Sequence, residues 1–530
     1  MSNKETKLLK SSFGVALATL ASRILGLIRM RLEAQALGGG LTATIWFFAM
    51  IFPNIFRRLL GEGALGTALI PLVTETEKNS GISEARRCFA QILTFAGALL
   101  ALIVVIVSAG AFFCGKAAFL YDWEFLQSEK VQGGCQIIPL LMPYAFFICL
   151  TGIIGAVLNY SGLFVRPALT AVFFNLVQIA GLLAGICLEL PSEQLLKLLA
   201  VQVPIAGAIQ FGLMVWMLKI CGRFPIFCKD AFRSFSPVKN LLKLASPGLI
   251  GYGVLQLSFL IDRSLALCLN NRAVPALTYV DRIVDLPIGL FAVSLGTVLM
   301  TSMTRAAVDK DFDAMQEQLN FSLRHVWFIC APMAVAVIFF HTEMLRVLCL
   351  GGKYTLEDLD AARLVAIFYG MGIPFFCSLK VILPAFYSRK DMKRPLYVSI
   401  TAIVVNLVFN LILMFPLQQG GLALATVIAS AVNNSCLLFL LDREGFNIQK
   451  RTVVSCLRSV FISLLAGITV YFLMPLIRCR FEPGFGTDCI LLLICGVTYG
   501  VLILILCVAL RAGELFEFFS ILRRRNKKSA

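Results

Sequence analysis

Between Cys88 and Gly115 the chain reads CFAQILTFAGALLALIVVIVSAGAFFCG, 28 residues without one charged side chain. At a helical rise of about 1.5 Å per residue, such a run outreaches the roughly 30 Å hydrocarbon core of a bilayer. Similar runs lie near 11–37, 44–73, 135–158, 167–188 and 197–218, and again near 246–269, 276–303, 325–349, 361–387, 396–416, 420–441, 453–477 and 487–510. Of the 530 residues 59% are hydrophobic and 15% charged, and no polar interval is long enough for a soluble catalytic domain. Lipid offers the backbone no hydrogen bonds, so spans of this length must be helical. The expected fold is an all-α polytopic membrane protein with about fourteen transmembrane helices.

The net charge of +17 would suit a nucleic-acid partner if it were clustered, but it lies mostly between the spans. Alternate loops are basic: Lys4–Lys10, Arg86–Arg87, Lys219–Lys243, Arg389 to Arg394, Lys450–Arg451 and the Arg523–Lys528 tail. The opposite loops, such as Gly38–Leu41, Glu189–Glu193 and Gln418–Gln419, are neutral or acidic. Basic loops stay inside, so both termini are expected on the cytoplasmic side. The polar start resembles a signal peptide, but Arg23 and Arg29 interrupt the apolar run that follows, and a retained first helix is expected. The 17 cysteines are scattered singly, without metal-ligand spacing, and read as small packing residues.

The segment Leu65–Thr74 matches Leu295–Thr304 at five positions with an offset of 230, and Arg166-Pro167 matches Arg394-Pro395 at 228. Six spans separate the copies, so both run in the same direction. Two six-helix lobes related by a pseudo-twofold axis along the membrane normal are expected, with the substrate path between them. The boundaries read as an N-lobe over 1–222, a basic amphipathic cytoplasmic linker over 223–245 and a C-lobe over 246–445. Residues 446–530 add two helices and a basic cytoplasmic tail; the extra helices would line a lateral groove, cap a lobe or bind a partner.

Charge inside the spans needs a physical reason, because an arginine at mid-bilayer costs about 2.5–3.5 kcal/mol on insertion scales. The first span carries Arg23, Arg29 and Arg31, and the second Arg57, Arg58 and Glu62, with Arg58 and Glu62 one turn apart. Either the arginines reach the headgroups, which suits Arg31 near a span end, or they face a wet cavity, which suits Arg23 deeper in. Guanidinium forks facing a cavity match the oxygens of a diphosphate. In the second half Asp281, Arg282 and Asp285 fall within one turn, with Asp281 and Arg282 on different faces.

A second group, Asp262, Asn406, Asn410 and Thr426, supplies oxygen ligands of the kind a small hard cation takes. With one ionisable member it would favour a monovalent cation such as sodium, unless Asp262 pairs with an arginine and the asparagines bond neighbouring helices. No other cofactor is expected. His325 and His341 are the only histidines, with no evident partners in sequence, and no G-x-x-x-x-G-K-[ST] string is present. A transporter is therefore expected, with neither metal-dependent catalysis nor ATP hydrolysis by this chain.

Ser22-Arg23-Ile24-Leu25-Gly26-Leu27-Ile28-Arg29 and Pro53-Asn54-Ile55-Phe56-Arg57-Arg58-Leu59-Leu60-Gly61-Glu62-Gly63-Ala64 resemble the opening signature of the MurJ/MviN family of lipid II flippases. Gly155-Ala156-Val157-Leu158-Asn159, Asp281-Arg282 with Pro287, and Ala385 to Asp391 resemble later motifs of that family in the same order. The resemblance implies a MATE-like two-lobe exporter fold with two extra helices, moving lipid II to the outer leaflet of the bacterial cytoplasmic (inner) membrane by alternating access. It implies substrate-binding roles for Arg23, Arg29, Arg57, Arg58, Glu62, Asp281 and Arg282. It also implies a place in peptidoglycan biosynthesis and cell shape, with lipid II, membrane lipids and cell-wall synthesis proteins as partners. The chain departs from the usual pattern at Met30 and Thr44, where the family commonly has acidic residues. The competing readings are another lipid-linked oligosaccharide or multidrug exporter, or a non-catalytic scaffold of a cell-wall complex; the arginines favour an anionic substrate.

Overall fold

In a computed structural model the described residues are 3–61, 64–120, 124–161, 163, 165–227, 236–482 and 484–517. The side chains of Lys4–Lys10, Glu62, residues 228–235 of the basic linker and the Arg523–Lys528 tail lie outside what is described. The fold is all-helical, as expected. In chain order the helices are α1 (Asn3–Leu37), α2 (Leu41–Phe56), α3 (Ala64–Leu120), α4 (Glu124–Gln127), α5 (Glu129–Leu141), α6 (Pro143–Tyr160), α7 (Val165–Cys187), α8 (Ser192–Ile220) and α9 (Ser236–Leu267). They continue as α10 (Ala273–Pro287), α11 (Val293–Val308), α12 (Phe312–Leu348), α13 (Leu356–Tyr387), α14 (Lys393–Leu417), α15 (Gln419–Asp442), α16 (Lys450–Arg478) and α17 (Phe485–Ala509).

Eleven stretches among the described residues are helical, long and apolar enough to cross a bilayer. The fourteen expected from sequence add α1, α9 and the α10–α11 run, which are also helical. Gly81 breaks the long α3 at φ 84°, a left-handed conformation that costs glycine little, so one hydrogen-bonded run serves as two helices.

The repeat seen in sequence has a backbone counterpart. Pro53 interrupts the amide ladder of α2, and a π-helical turn follows at Arg57–Gly61; Pro287 ends α10, and a π-helical turn follows at Ile288–Ala292. Each turn leads into one copy of the matched segment. A proline removes an i→i−4 bond, and a wider turn absorbs the misfit.

The chain divides into two compact units, Met1–Pro275 with Gly351–Thr355, and Ala276–Leu350 with Leu356–Ala530. In the first, α3, α6, α8 and the start of α9 enclose Leu69, Phe89, Ile92, Ile153, Ile154, Leu158, Leu218 and Leu241. Gly152 on α6 makes that packing possible: a Cβ there would stand 2.1 Å from the Gly61 carbonyl oxygen, inside van der Waals contact. The Gly351–Thr355 segment joins this unit through Lys353 N–H, which donates to the Gln35 carbonyl at 2.8 Å. The start of the basic linker is fixed too, since Arg86 Nε donates to Phe224 O at 2.6 Å and Arg223 pairs with Glu77.

In the second unit α12 packs on α13, α13 and α14 pack on α15, and α16 and α17 pack on α12. The last contact buries Val335, Phe340, Val470, Met474, Leu491 and Tyr499 in one cluster. The two extra helices therefore belong to the body of this unit. Their other faces expose Phe461, Phe472, Leu476, Leu493, Val497, Leu504 and Ile505, a surface that only lipid solvates without penalty.

Candidate functional site

Helix α1 carries the first arginines, and α7 holds it. Asn175 Nδ2 donates to the Ser22 carbonyl at 3.0 Å and to Ser22 Oγ at 3.3 Å, directly beside Arg23. One residue earlier, the Phe174 ring lies 5.3 Å beneath the Arg29 guanidinium. Arg23 is half-buried, and its Nε is enclosed without a hydrogen-bond partner among the described residues. A buried N–H of a charged group in that condition is costly, and an anion reaching it would gain what folding leaves unmade.

Arg29 is compensated differently. Its Nε stands 3.6 Å from Oε1 of Glu33, one turn further along α1, and Glu33 is only 3% exposed. The family's usual acid after this arginine is Met30 here, and Met30 is packed into the core. A carboxylate one turn away supplies a counter-charge. Glu33 was legible at i,i+4 spacing but was not singled out from the sequence.

Thr44, the second departure, is wholly buried, and its hydroxyl donates to the Asn271 carbonyl at 2.5 Å. An ionised carboxylate has no proton to donate to a carbonyl, so the hydroxyl suits this position.

On the π-helical turn Arg57 donates from Nε to Asn54 Oδ1 at 3.2 Å, which orients its guanidinium. Arg58 lies over the Phe259 ring at 5.2 Å, and Arg263 lies over the same ring at 5.0 Å. Two guanidinium groups on one aromatic ring concentrate positive charge where both are half-buried or buried. Arg263 was missed in the sequence reading although it follows Asp262 inside an apolar run. Glu62, the expected partner of Arg58, lies outside the described residues.

In the second unit Asp281 and Arg282 are half-buried on α10 and Asp285 is exposed, and each already has an interaction partner. Of the expected cation group, three members meet within this unit. Asn410 Nδ2 donates to Asn406 Oδ1 at 3.0 Å, Asn406 Nδ2 donates to Thr426 Oγ1 at 3.4 Å, and the Thr426 hydroxyl donates to Leu422 O at 2.9 Å. Asn406 and Asn410 are fully buried. Asp262, half-buried on α9, belongs to the first unit.

His325 has partners that its sequence neighbourhood did not reveal: Nδ1 is 2.8 Å from Phe321 O, and Nε2 is 3.5 Å from Glu517 Oε2. His341 Nδ1 lies 2.9 Å from Ile338 O. The two carbonyl contacts fix the ring orientations. Among the described residues no three His, Cys, Asp or Glu side chains cluster as metal ligands.

An all-helical chain with arginines and buried amides on otherwise apolar helices has the makings of a polytopic transporter. Solved structures agree on the fold. The chain superposes on "Lipid II flippase MurJ, inward closed conformation" with a TM-score of 0.75 at 23% identity, covering 94% of this chain and 99% of that one. It also matches an inward-facing multidrug resistance MATE family transporter of the MOP superfamily, with a TM-score of 0.65 at 14% identity, covering 81% and 98%. Residues 33–488 match the family described as "Lipid II flippase MurJ", and the chain belongs to that family. Among similar proteins, a probable lipid II flippase MurJ of Vibrio cholerae serotype O1 is 31% identical over 457 residues, covering 84% of this chain and 85% of the relative. Another probable lipid II flippase MurJ, from Rhizobium tropici, is 30% identical over 513 residues, covering 94% and 92%.

Proposed function

We propose that this protein is a flippase that carries lipid II, the undecaprenyl-diphosphate-linked peptidoglycan precursor, from the cytoplasmic to the outer leaflet by alternating access. The observation that carries the reading is Arg23, half-buried on α1 of a chain that belongs to a lipid II flippase family by its residues 33–488, with an enclosed Nε that lacks a hydrogen-bond partner among the described residues. A diphosphate supplies both the counter-charge and the acceptor oxygens that such a group lacks. Arg23, Arg29, Arg57, Arg58 and Arg282 would hold the headgroup during the cycle, with Glu62 and Asp281 restraining the arginines between turnovers. No bond is made or broken: the chain acts as a transporter, and the substrate shifts the balance of states only by binding them unequally.

Drive would come from a monovalent cation such as sodium, bound by Asp262, Asn406, Asn410 and Thr426. The meeting of Asn406, Asn410 and Thr426 is what the reading builds on: an ion would take the Asn406 and Thr426 oxygens that now accept from the neighbouring amides, and neutral oxygens suit a hard, singly charged ion. In this reading the protein sits in the bacterial inner membrane with both termini cytoplasmic and works beside cell-wall synthesis proteins. The deciding experiment reconstitutes the purified protein in vesicles with labelled lipid II, with and without a sodium gradient. Transfer of label to the far leaflet, faster with the gradient, is expected; no transfer above protein-free vesicles would overturn the assignment, and a cationic drug moving instead would place the chain with the multidrug exporters.

A further inference from the structure

Cys114 lies at the end of the long apolar run of α3, and Cys135 lies in the middle of α5. Their thiols are near enough to act electrostatically on each other. The residue after Cys114 sets the spacing of α3 and α5 here: a Cβ built on Gly115 would stand 3.4 Å from the Cβ of Cys135. Gln132 fixes this approach, its Nε2 donating to Gly115 O at 3.3 Å and to Leu126 O at 2.7 Å. Both cysteines also border an apolar cavity of about 410 Å³ walled by Phe48, Phe52, Phe125 and Leu267. They are partly exposed, whereas Cys330 and Cys377, a second facing pair, are fully buried between α12 and α13. Access therefore separates the two pairs.

We propose that Cys114 and Cys135 are a modification site, joined as a disulfide that closes the α3–α5 connection on the outer side of the membrane. The proposal rests on the orientation given above, in which the connection over 116–134 faces away from the cytoplasmic Arg86–Arg87 loop. Thiols beyond the cytoplasmic membrane meet oxidising conditions, and paired cysteines there persist as disulfides. The oxidant is a thioredoxin-type protein disulfide. One cysteine thiolate attacks it and releases the first of its sulfurs as a thiol; the other cysteine then attacks the mixed disulfide and releases the second. Two thiols of this chain become one disulfide, and the oxidant leaves as a dithiol carrying the two hydrogens. The covalent ring holds α4 against α5 and restrains the wall of the apolar cavity.

The test uses bacterial cells expressing the full-length chain, trapped in acid, denatured, and alkylated before and after reduction with two reagents of different mass. Cys114 and Cys135 should show loss of the first label and gain of the second, and unreduced digests should contain the linked peptide. Cys114→Ser should restore the first label at Cys135. Both wild-type cysteines carrying the first label would overturn the proposal. In parallel, Glu193→Cys, on the same side by the orientation reading, is probed in intact cells with an impermeant maleimide. Labelling there together with free thiols at 114 and 135 rejects the disulfide alone. Labelling only after permeabilisation, with free thiols at 114 and 135, rejects the orientation and the disulfide with it.

Discussion

Arg29 and Glu33 face each other one turn apart on α1, with 3.6 Å between Nε and Oε1 and with the carboxylate almost wholly enclosed. Removing one partner of an enclosed ion pair leaves the other buried without compensation. Glu33→Gln should therefore lower thermal stability in detergent by the equivalent of about 1–3 kcal/mol, the usual cost of leaving a buried polar group unsatisfied. An unchanged melting temperature would mean that the pair contributes nothing.

Arg23 should behave in the opposite sense. Its Nε is enclosed without a partner among the described residues, so Arg23→Ala removes an unfavourable group from the resting protein while removing a contact to the substrate. Arg23→Ala and Arg282→Ala should insert and accumulate normally yet lose lipid II transport, and lysine should rescue poorly because it lacks the planar fork. Normal transport rates in the alanine variants would show that neither residue handles the headgroup; failure to accumulate would make both structural.

At Thr44 the hydroxyl holds the Asn271 carbonyl. Thr44→Val preserves shape but loses the bond and should cost about 1 kcal/mol. Thr44→Asp, which restores the acid common in the family, should cost more at neutral pH, where its carboxylate opposes a carbonyl, and recover as acidification gives it a proton to donate. Melting curves of both variants against pH would show this crossing, and parallel curves would refute it.

Gly152 tests the packing of α6 on the π-helical turn. An added methyl would overlap the Gly61 carbonyl, so Gly152→Ala should destabilise by about 1–3 kcal/mol through overpacking. Measured abundance and melting temperature should both fall, and the neighbouring Thr151→Ala, which only removes an intrahelical hydroxyl bond to Phe147 O, should change them less.

Beyond α17, Glu514 is buried and accepts hydrogen bonds from Ser455 and from Arg458, the latter at 2.6 Å. Burial pushes its carboxyl up, but the Ser455 hydroxyl, its own backbone amide and the Arg458 charge outweigh that and hold it below the ordinary carboxylate value. A depressed folded-state value means that the ionised group stabilises the fold above the unfolded-state pKa, about 4.3, and that this contribution fades as pH falls through the folded one. Wild type should exceed Glu514→Gln in stability at neutral pH, with the gap closing on acidification; a gap that widens in acid would reverse the assignment.

The sequence by itself determined that the chain is helical and membrane-spanning, because uncharged runs such as 88–115 leave the backbone no other way to satisfy its hydrogen bonds in lipid. It also gave away the arginines of the first two spans and the repeat, since charge in an apolar run and paired Leu-Gly-Thr segments are visible without coordinates. Only the tertiary structure decided what each charge meets. Glu33 was not singled out as the partner of Arg29, Arg263 joins Arg58 on Phe259, and Asn175 secures Ser22 from another helix. The same holds for α16 and α17, whose packing on α12 was one of several open possibilities. The physical reason is rotation about the helix axis. A soluble helix announces its buried face by polar residues on the other side, but a span that is apolar all round gives no such signal. Which side chains face a neighbouring helix, and which face lipid, is then settled by packing between helices far apart in sequence.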